Sequence, residues 1–214
     1  MKCKKALYGI LLFNLVYLLP ALWFSRSYKN YEFAIYIGVI IIAMAVIAYL
    51  YARFYISLPV LWMMSLWGLF HMAGGLMPVP ESWPRGAVKP VLYNLWLIPG
   101  FFKFDHFVHM YGFGATTVLV WEVFSRILAD AAPSGVSARP TVGLMLLCVF
   151  ASMGLGALNE VIEFAATLIL PETNVGGYIN TGWDLVSNAA GAVLAAAAIY
   201  LSGGRLGYFR KGQS

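Results

Sequence analysis

Long apolar runs alternate with short polar segments along the chain, and this pattern predicts the secondary structure. Six runs reach the roughly 20 residues that a helix needs to cross a bilayer. They cover residues 6–25, 33–51, 58–77, 106–128, 142–170 and 185–202. The first follows Lys2, Lys4 and Lys5 but lacks a small-x-small cleavage site, so we expect it to remain as an anchor. The pattern therefore predicts an all-α, polytopic membrane helix bundle with about six transmembrane helices.

The runs predict a single integral-membrane domain over residues 1–214. Residues 1–56 would form two variable N-terminal spans, and residues 57–203 a four-span core. Between spans three and four, residues 78–104 contain several prolines and an apolar stretch, 91–98, that is too short to cross. Because Tyr and Trp favour the membrane interface, we expect an outer interfacial loop here. An ordinary apolar loop lying on its own bundle is the alternative.

Composition supports the membrane class and narrows the function classes. The chain is 61% hydrophobic and 11% charged, whereas a soluble domain carries about 25% charged residues. No P-loop, Gly-x-Gly-x-x-Gly segment or Ser-His-Asp order occurs, so nucleotide, dinucleotide and serine-hydrolase chemistry have no support. The net charge of +5 comes from short loops and tails beside the spans. We therefore expect membrane lipids, and no nucleic acid, as partners.

The Lys and Arg residues predict an orientation. With six spans, nine of them fall on the side that holds both termini and five on the opposite side. Cytoplasmic loops carry the excess of Lys and Arg in membrane proteins. The chain is therefore predicted to be a multi-pass protein of a bacterial cytoplasmic (inner) membrane, with both termini in the cytoplasm.

Ionisable and amide side chains interrupt four of the spans at one predicted depth. A buried ionisable group in a membrane is costly, and it is a functional candidate by default. His71 lies about 9 Å from the outer end of span three at 1.5 Å per residue. The others open span four, lie in the outer half of span five, or open span six. The full set is His71, Asp105, His106, His109, Asn159, Glu160, Glu163, Asp184 and Asn188.

The spacing of these side chains predicts one shared cavity. His106 and His109 are three residues apart, as are Glu160 and Glu163. Residues three or four apart lie on one face of a helix, so each helix can direct a pair inward. We expect His109, Glu160, Glu163 and Asp184 to lie within about 8 Å of a common centre, because each ligand reaches a cation from about 2 Å.

Three interpretations of this constellation stay open. In the first it binds a divalent metal, Zn, Fe or Mn, which imidazole and carboxylate ligands suit. In the second it is a metal-free polar site that binds a head group or moves protons. In the third the groups pair with one another to join helices. The metal ligands would be His106, His109, Glu160, Glu163 and Asp184, with His71, Asp105, Asn159 and Asn188 in support. Glu122, four residues before Arg126, is instead expected to form a surface ion pair.

Three motifs carry a family resemblance. They are Asp105-His106-Phe-Val-His109, Asn159-Glu160-Val-Ile-Glu163-Phe164, and Trp183-Asp184-Leu-Val-Ser-Asn188-Ala-Ala-Gly191-Ala192. In this order they resemble the YjdF-like family of bacterial inner-membrane proteins, over residues 71–194. The last motif alone also resembles the end of VanZ-like membrane proteins. The YjdF-like family has no assigned reaction, so the resemblance implies a fold and motif positions but no activity.

Two classes of function compete with a non-catalytic membrane scaffold. A metal-dependent or acid/base enzyme would use Glu160, Glu163 and Asp184 as catalytic groups on a lipid-linked or amphipathic substrate. A transporter or proton-coupled permease would use the same carboxylates, but it would need polar groups that continue to the inner side. The inner halves of the spans hold only Glu122 and a few hydroxyl groups, which favours the enzyme. The sequence indicates neither the substrate nor the oligomeric state.

Cysteine labelling tests the predicted orientation. A cysteine replacing Ser82 should react with an impermeant maleimide added outside the cell, and one replacing Ser134 should not, because the Lys and Arg bias puts these loops on opposite sides. Labelling of both after permeabilisation is the control. The reverse pattern in intact cells would invert the topology.

Overall fold

A bundle of six α-helices forms the part of the chain that the structure describes. The computed structural model describes residues 2–131 and 138–206, with side chains from Lys5 onward. The helices are α1 (Lys2–Ser27), α2 (Tyr31–Phe54), α3 (Leu58–Leu76), α4 (Phe104–Ala131), α5 (Val142–Ile169) and α6 (Tyr178–Leu201). All except α3 are long and apolar enough to cross a membrane. The predicted all-α polytopic bundle is confirmed, and Ser134 lies outside the described residues.

The helices extend beyond the apolar runs that predicted them. The largest difference is in α6, which begins at Tyr178 rather than at residue 185. The apolar pattern starts late because Asn180, Thr181 and Asp184 are polar, although they continue the same helix. Asp184 therefore lies in the second turn of α6, where it is buried with 1% of its surface exposed.

Residues 77–103, between α3 and α4, fold into what we call the hairpin segment. It contains a 3₁₀ turn, η1 (Leu92–Asn94), and two short antiparallel strands, β1 (Trp96–Ile98) and β2 (Phe102–Lys103). Asn94 is buried and donates to the backbone oxygen of Lys89 at 2.9 Å. We call the adjacent end of the bundle the hairpin end. At this end α1, α3 and α5 finish and α2, α4 and α6 begin.

Small residues let α4 and α6 approach closely near this end. A Cβ atom added to Gly191 of α6 would overlap the backbone oxygen of Met110 in α4. A Cβ on Gly114 would lie 3.3 Å from the backbone oxygen of Gly191. Glycine at such a crossing permits backbone contact between membrane helices. This crossing determines how near the polar side chains of α4 and α6 come to one another.

The prediction of a surface ion pair at Glu122 is wrong in its location. Glu122 is buried, with 2% exposure, and its Oε2 accepts a hydrogen bond from the backbone N–H of Ser57 at 2.7 Å. Ser57 is the residue that precedes α3, so Glu122 binds one of the free N–H groups at that helix start. The four-residue spacing to Arg126 could not show which face of α4 points inward.

Replacing Gly191 with alanine tests the α4–α6 contact. Gly191→Ala should lower the free energy of unfolding by about 1–3 kcal/mol, the usual cost of overpacking. Thermal unfolding in detergent would measure this change. Gly182→Ala on the same helix is the matched control, because a Cβ added at Gly182 would have no atom within 4 Å. Equal stability of the two variants would show that α4 and α6 can move apart at this crossing without loss of stability.

Candidate functional site

Carboxylate and imidazole groups from three helices meet at the hairpin end. The first two turns of α4 supply Asp105 and His109, the last turns of α5 supply Glu160 and Glu163, and α6 supplies Asp184. We call these five residues the polar cluster. The sequence predicted all five, with Asp105 in a supporting role. The four-residue spacing of Asp105 and His109 points both inward from one helix face.

His109 lies at the centre of the polar cluster. Its Nε2 is 3.7 Å from Asp105 Oδ1 and 4.0 Å from Asp184 Oδ1. Its Nδ1 is 3.9 Å from Glu160 Oε1. Two sets of three groups, each with donor atoms within 4.8 Å of one another, therefore share His109: one with Asp105 and Asp184, the other with Glu160 and Glu163.

Asn188 orients the imidazole of His109. Asn188 Oδ1 lies 3.0 Å from His109 Nδ1, and Asn188 is fully buried. An amide oxygen only accepts, so this contact suits a proton on Nδ1. Nε2, the other ring nitrogen, faces Asp105 and Asp184. A hydrogen bond from one ring nitrogen to a neighbouring polar group is the usual way in which proteins orient a histidine that binds metal through the other nitrogen.

Several buried oxygens of the polar cluster have no hydrogen-bond partner among the described residues. Both carboxylate oxygens of Glu160 are in this state, as is Oδ1 of Asp184. Asn159 donates to Glu163 Oε1 at 3.0 Å. Asp184 Oδ2 does accept, from Asn180 at 2.6 Å. Unpaired buried polar atoms are rare and call for an explanation such as an ion.

His106 lies beside the polar cluster, in neither of the two sets of three groups. Its ring stacks on Trp183, with centroids 5.9 Å apart. Its Nδ1 accepts from the backbone N–H of Lys103 at 3.3 Å. The three-residue spacing predicted a shared helix face with His109. Three residues turn a helix through about 300°, so the two side chains leave the helix about 60° apart and their rings can diverge.

A small cavity of about 20 Å³ adjoins the polar cluster. Asp105 and Glu163 of the polar cluster line it, together with Glu32, His71 and Tyr93. The cavity exceeds the roughly 10–15 Å³ that one water molecule needs, and its walls are polar. Burial raises the pKa of Tyr93 well above its usual range, so its hydroxyl keeps its proton and hydrogen-bonds His71 Nδ1 at 2.5 Å.

Sequence reasoning missed two charged residues that reach this region. Glu32 lies in the first turn of α2 with 4% exposure, and its Oε2 accepts from the backbone N–H of Asn174 at 2.9 Å. Lys103 ends β2, is buried, and approaches Asp105 Oδ2 at 3.6 Å. Lys103 also donates to Asn180. Each residue stood just outside a predicted span, and a search for acidic or basic residues bordering the spans would have found both.

A family model for predicted membrane proteins (DUF2238) matches residues 7–205. The chain belongs to this family. The resemblance to YjdF-like proteins is thereby confirmed, since that group falls within DUF2238. No curated protein and no solved structure matches the chain. Together with the five apolar helices, the family establishes a multi-span membrane protein and assigns it no function.

Two buried glutamates allow a test of whether the polar cluster is optimised for stability. In metal-free, chelator-treated protein, Glu160→Leu should leave the melting temperature unchanged or raise it, because it replaces a buried carboxylate that lies among other carboxylates with an apolar group of similar volume. Glu122→Leu, the matched control, should lower stability by about 1–3 kcal/mol, because it strands the backbone N–H of Ser57. A comparable loss in Glu160→Leu would indicate that Glu160 has a structural partner.

Proposed function

We propose that this DUF2238 protein is a metal-dependent membrane enzyme that acts on a lipid-linked or amphipathic substrate at the hairpin end. Asp105, His109 and Asp184 would bind one divalent cation. The observation that carries the proposal is the set of buried carboxylate oxygens that face His109 and have no partner among the described residues. A cation bound at the centre of the polar cluster would interact with all of these oxygens at once.

The donor set favours one kind of metal. His109 is the imidazole shared by both sets of three groups, and the other members are carboxylates. Oxygen ligands suit Mn²⁺, while several imidazoles would suit Zn²⁺ better. We therefore propose Mn²⁺ first, with Fe²⁺ and Zn²⁺ as alternatives. His109 Nε2 lies 3.7 Å from Asp105 Oδ1 and 4.0 Å from Asp184 Oδ1, so one cation between them could reach all three donor atoms.

The polar cluster also contains groups for acid and base chemistry. A bound cation would supply a Lewis acid that polarises an oxygen of the substrate. Glu163 borders the water-sized cavity, within the same set of groups as His109 and Glu160. A carboxylate beside such a cavity can take a proton from an attacking water. Lys103, close to Asp105, offers a positive charge to an anionic head group. These features support hydrolysis or transfer at the polar head of a lipid.

The rival functions are supported less well. In a purely structural cluster both oxygens of each carboxylate would accept hydrogen bonds from neighbours, whereas Oδ1 of Asp184 accepts none within the described residues. In a permease, polar groups should lead towards the other end of the bundle. Two of the buried polar side chains there bind within the bundle: Oε2 of Glu122 accepts from Ser57, and Asn14 donates to Ser65 at 2.8 Å.

The Lys and Arg bias supports a bacterial inner membrane with both termini in the cytoplasm, so the hairpin end would face the outside. Glu160 and Glu163 would then act in the outer half of the bilayer. This location suits a substrate that is presented or processed at the outer leaflet.

Metal content and stability test the proposed function. Protein purified in detergent should retain about one divalent metal ion per chain, and Mn²⁺ at 100-fold above its dissociation constant should stabilise chelated protein by about 2.7 kcal/mol. His109→Gln and Asp184→Asn should weaken binding about tenfold or more. Glu172→Gln, in the exposed loop before α6, is the control. Equal metal binding by all four proteins, or no stabilisation of the wild type, would contradict the metal site.

A further inference from the structure

A second cavity, distinct from the polar cluster, lies between α1, α2 and α3. It has a volume of about 220 Å³ and almost entirely apolar walls. An engineered cavity of about 150 Å³ lined by aliphatic and aromatic residues holds benzene, so this one has room for a larger apolar group. Its walls include Leu11 of α1, Ile40, Met44 and Ile47 of α2, and Met64 of α3. We call it the apolar cleft.

The polar residues in the wall of the apolar cleft are already paired. Asn14 donates to the backbone oxygen of Ile10 and to Ser65 Oγ, both at 2.8 Å. Tyr17 donates to Asn14 Oδ1 at 2.7 Å. Because these groups satisfy one another, they do not need a polar ligand. The cleft therefore suits a hydrocarbon occupant.

The apolar cleft lies on the same faces of α2 and α3 as the water-sized cavity beside the polar cluster. Tyr36 of α2 lines the water-sized cavity, and Ile40, one turn further along, lines the cleft. On α3, His71 lines the water-sized cavity and Trp67, one turn away, lines the cleft. At 1.5 Å per residue the cleft follows α2 from about 14 Å to about 30 Å below the hairpin end. The polar cluster lies about 8 Å below the same end, directly before the cleft begins.

The helix that forms one wall packs loosely, which gives access from the bilayer. Only 17% of the most apolar window of α2 is buried, the lowest share among the five apolar helices. Ile42 and Val46 on its other side are exposed. In a membrane the surroundings of such a helix are lipid chains, so a hydrocarbon chain can enter the apolar cleft beside α2 without crossing water.

We propose that the apolar cleft binds one hydrocarbon chain of the membrane lipid whose head group lies at the hairpin end, beside the polar cluster. This inference rests on the proposed function and specifies its substrate class: a lipid with its polar head at the hairpin end and a chain that reaches the far half of the bundle. The length of the cleft along α2, about 16 Å, is close to half of the roughly 30 Å hydrocarbon thickness of a bilayer.

Photocrosslinking with a lipid probe tests this proposal. The protein would be placed in nanodiscs of phosphatidylethanolamine and phosphatidylglycerol, with some phosphatidylglycerol carrying a diazirine in one acyl chain. A diazirine near the head group should label Ile40 and Trp67, and one near the chain end should label Ile47 and Met64. Labelling should exceed that of Ile42 and Val46 on the lipid-facing side of α2.

A variant that fills the apolar cleft supplies the control. Ala43→Phe, whose side chain would occupy the cleft, should reduce labelling of cleft residues about tenfold, the effect of losing roughly two buried CH₂ groups. Ala45→Phe, on the exposed side of α2, should leave labelling unchanged. Melting temperatures of both variants establish that they fold.

Unchanged labelling in folded Ala43→Phe would overturn the proposal, as would equal labelling of the cleft and the lipid-facing side. A reversed order of labelling with diazirine position would overturn it too, because the head group would then lie away from the polar cluster. Metal content measured in the same samples separates the two proposals. Bound metal without cleft labelling refutes the cleft alone, whereas ordered cleft labelling without bound metal supports the cleft and refutes the metal site.

Discussion

The cost of burying negative charge in an apolar bundle governs this structure. Asp105, Glu160, Glu163 and Asp184 converge around one imidazole, and several of their oxygens lack partners among the described residues. Carboxylates at such separations repel strongly in a medium of low dielectric constant unless protons or a cation neutralise them. A fold selected for stability alone would replace such groups with apolar ones, often at no loss. The presence of four such groups around one imidazole is the physical reason for expecting bound positive charge.

The rest of the bundle serves to keep these groups together. Gly191 lets α6 contact the backbone of α4, which brings Asp184 within 4.0 Å of His109. Asn188, three residues before Gly191, holds the imidazole from the same helix. Further from the hairpin end, α1, α2 and α3 enclose an apolar cleft on the α2 and α3 faces that also line the water-sized cavity. Polar head and apolar chain would thus be bound by adjoining parts of one bundle, as a lipid substrate requires.

Much of this architecture could be predicted because membrane spans leave a strong signal. Apolar length identified all six helices, and helical spacing brought His109, Glu160, Glu163 and Asp184 together correctly. Boundaries were less accurate, since α6 begins seven residues before its apolar run. Glu122 and Glu32 were misjudged or missed for one reason: the burial of each depends on a distant backbone N–H, of Ser57 and Asn174 respectively. Sequence periodicity within one helix contains no information about such partners.

X-ray absorption at the edge of whichever metal accompanies the purified protein tests the central claim most directly. The spectrum reports the number of imidazole ligands and whether the remaining donors are oxygen. With His109 as the shared imidazole and His106 stacked on Trp183, the account predicts one imidazole and a first shell otherwise made of oxygen, and the imidazole signal should vanish in His109→Gln. Two imidazoles, sulfur ligands, or an unchanged spectrum in that variant would contradict it.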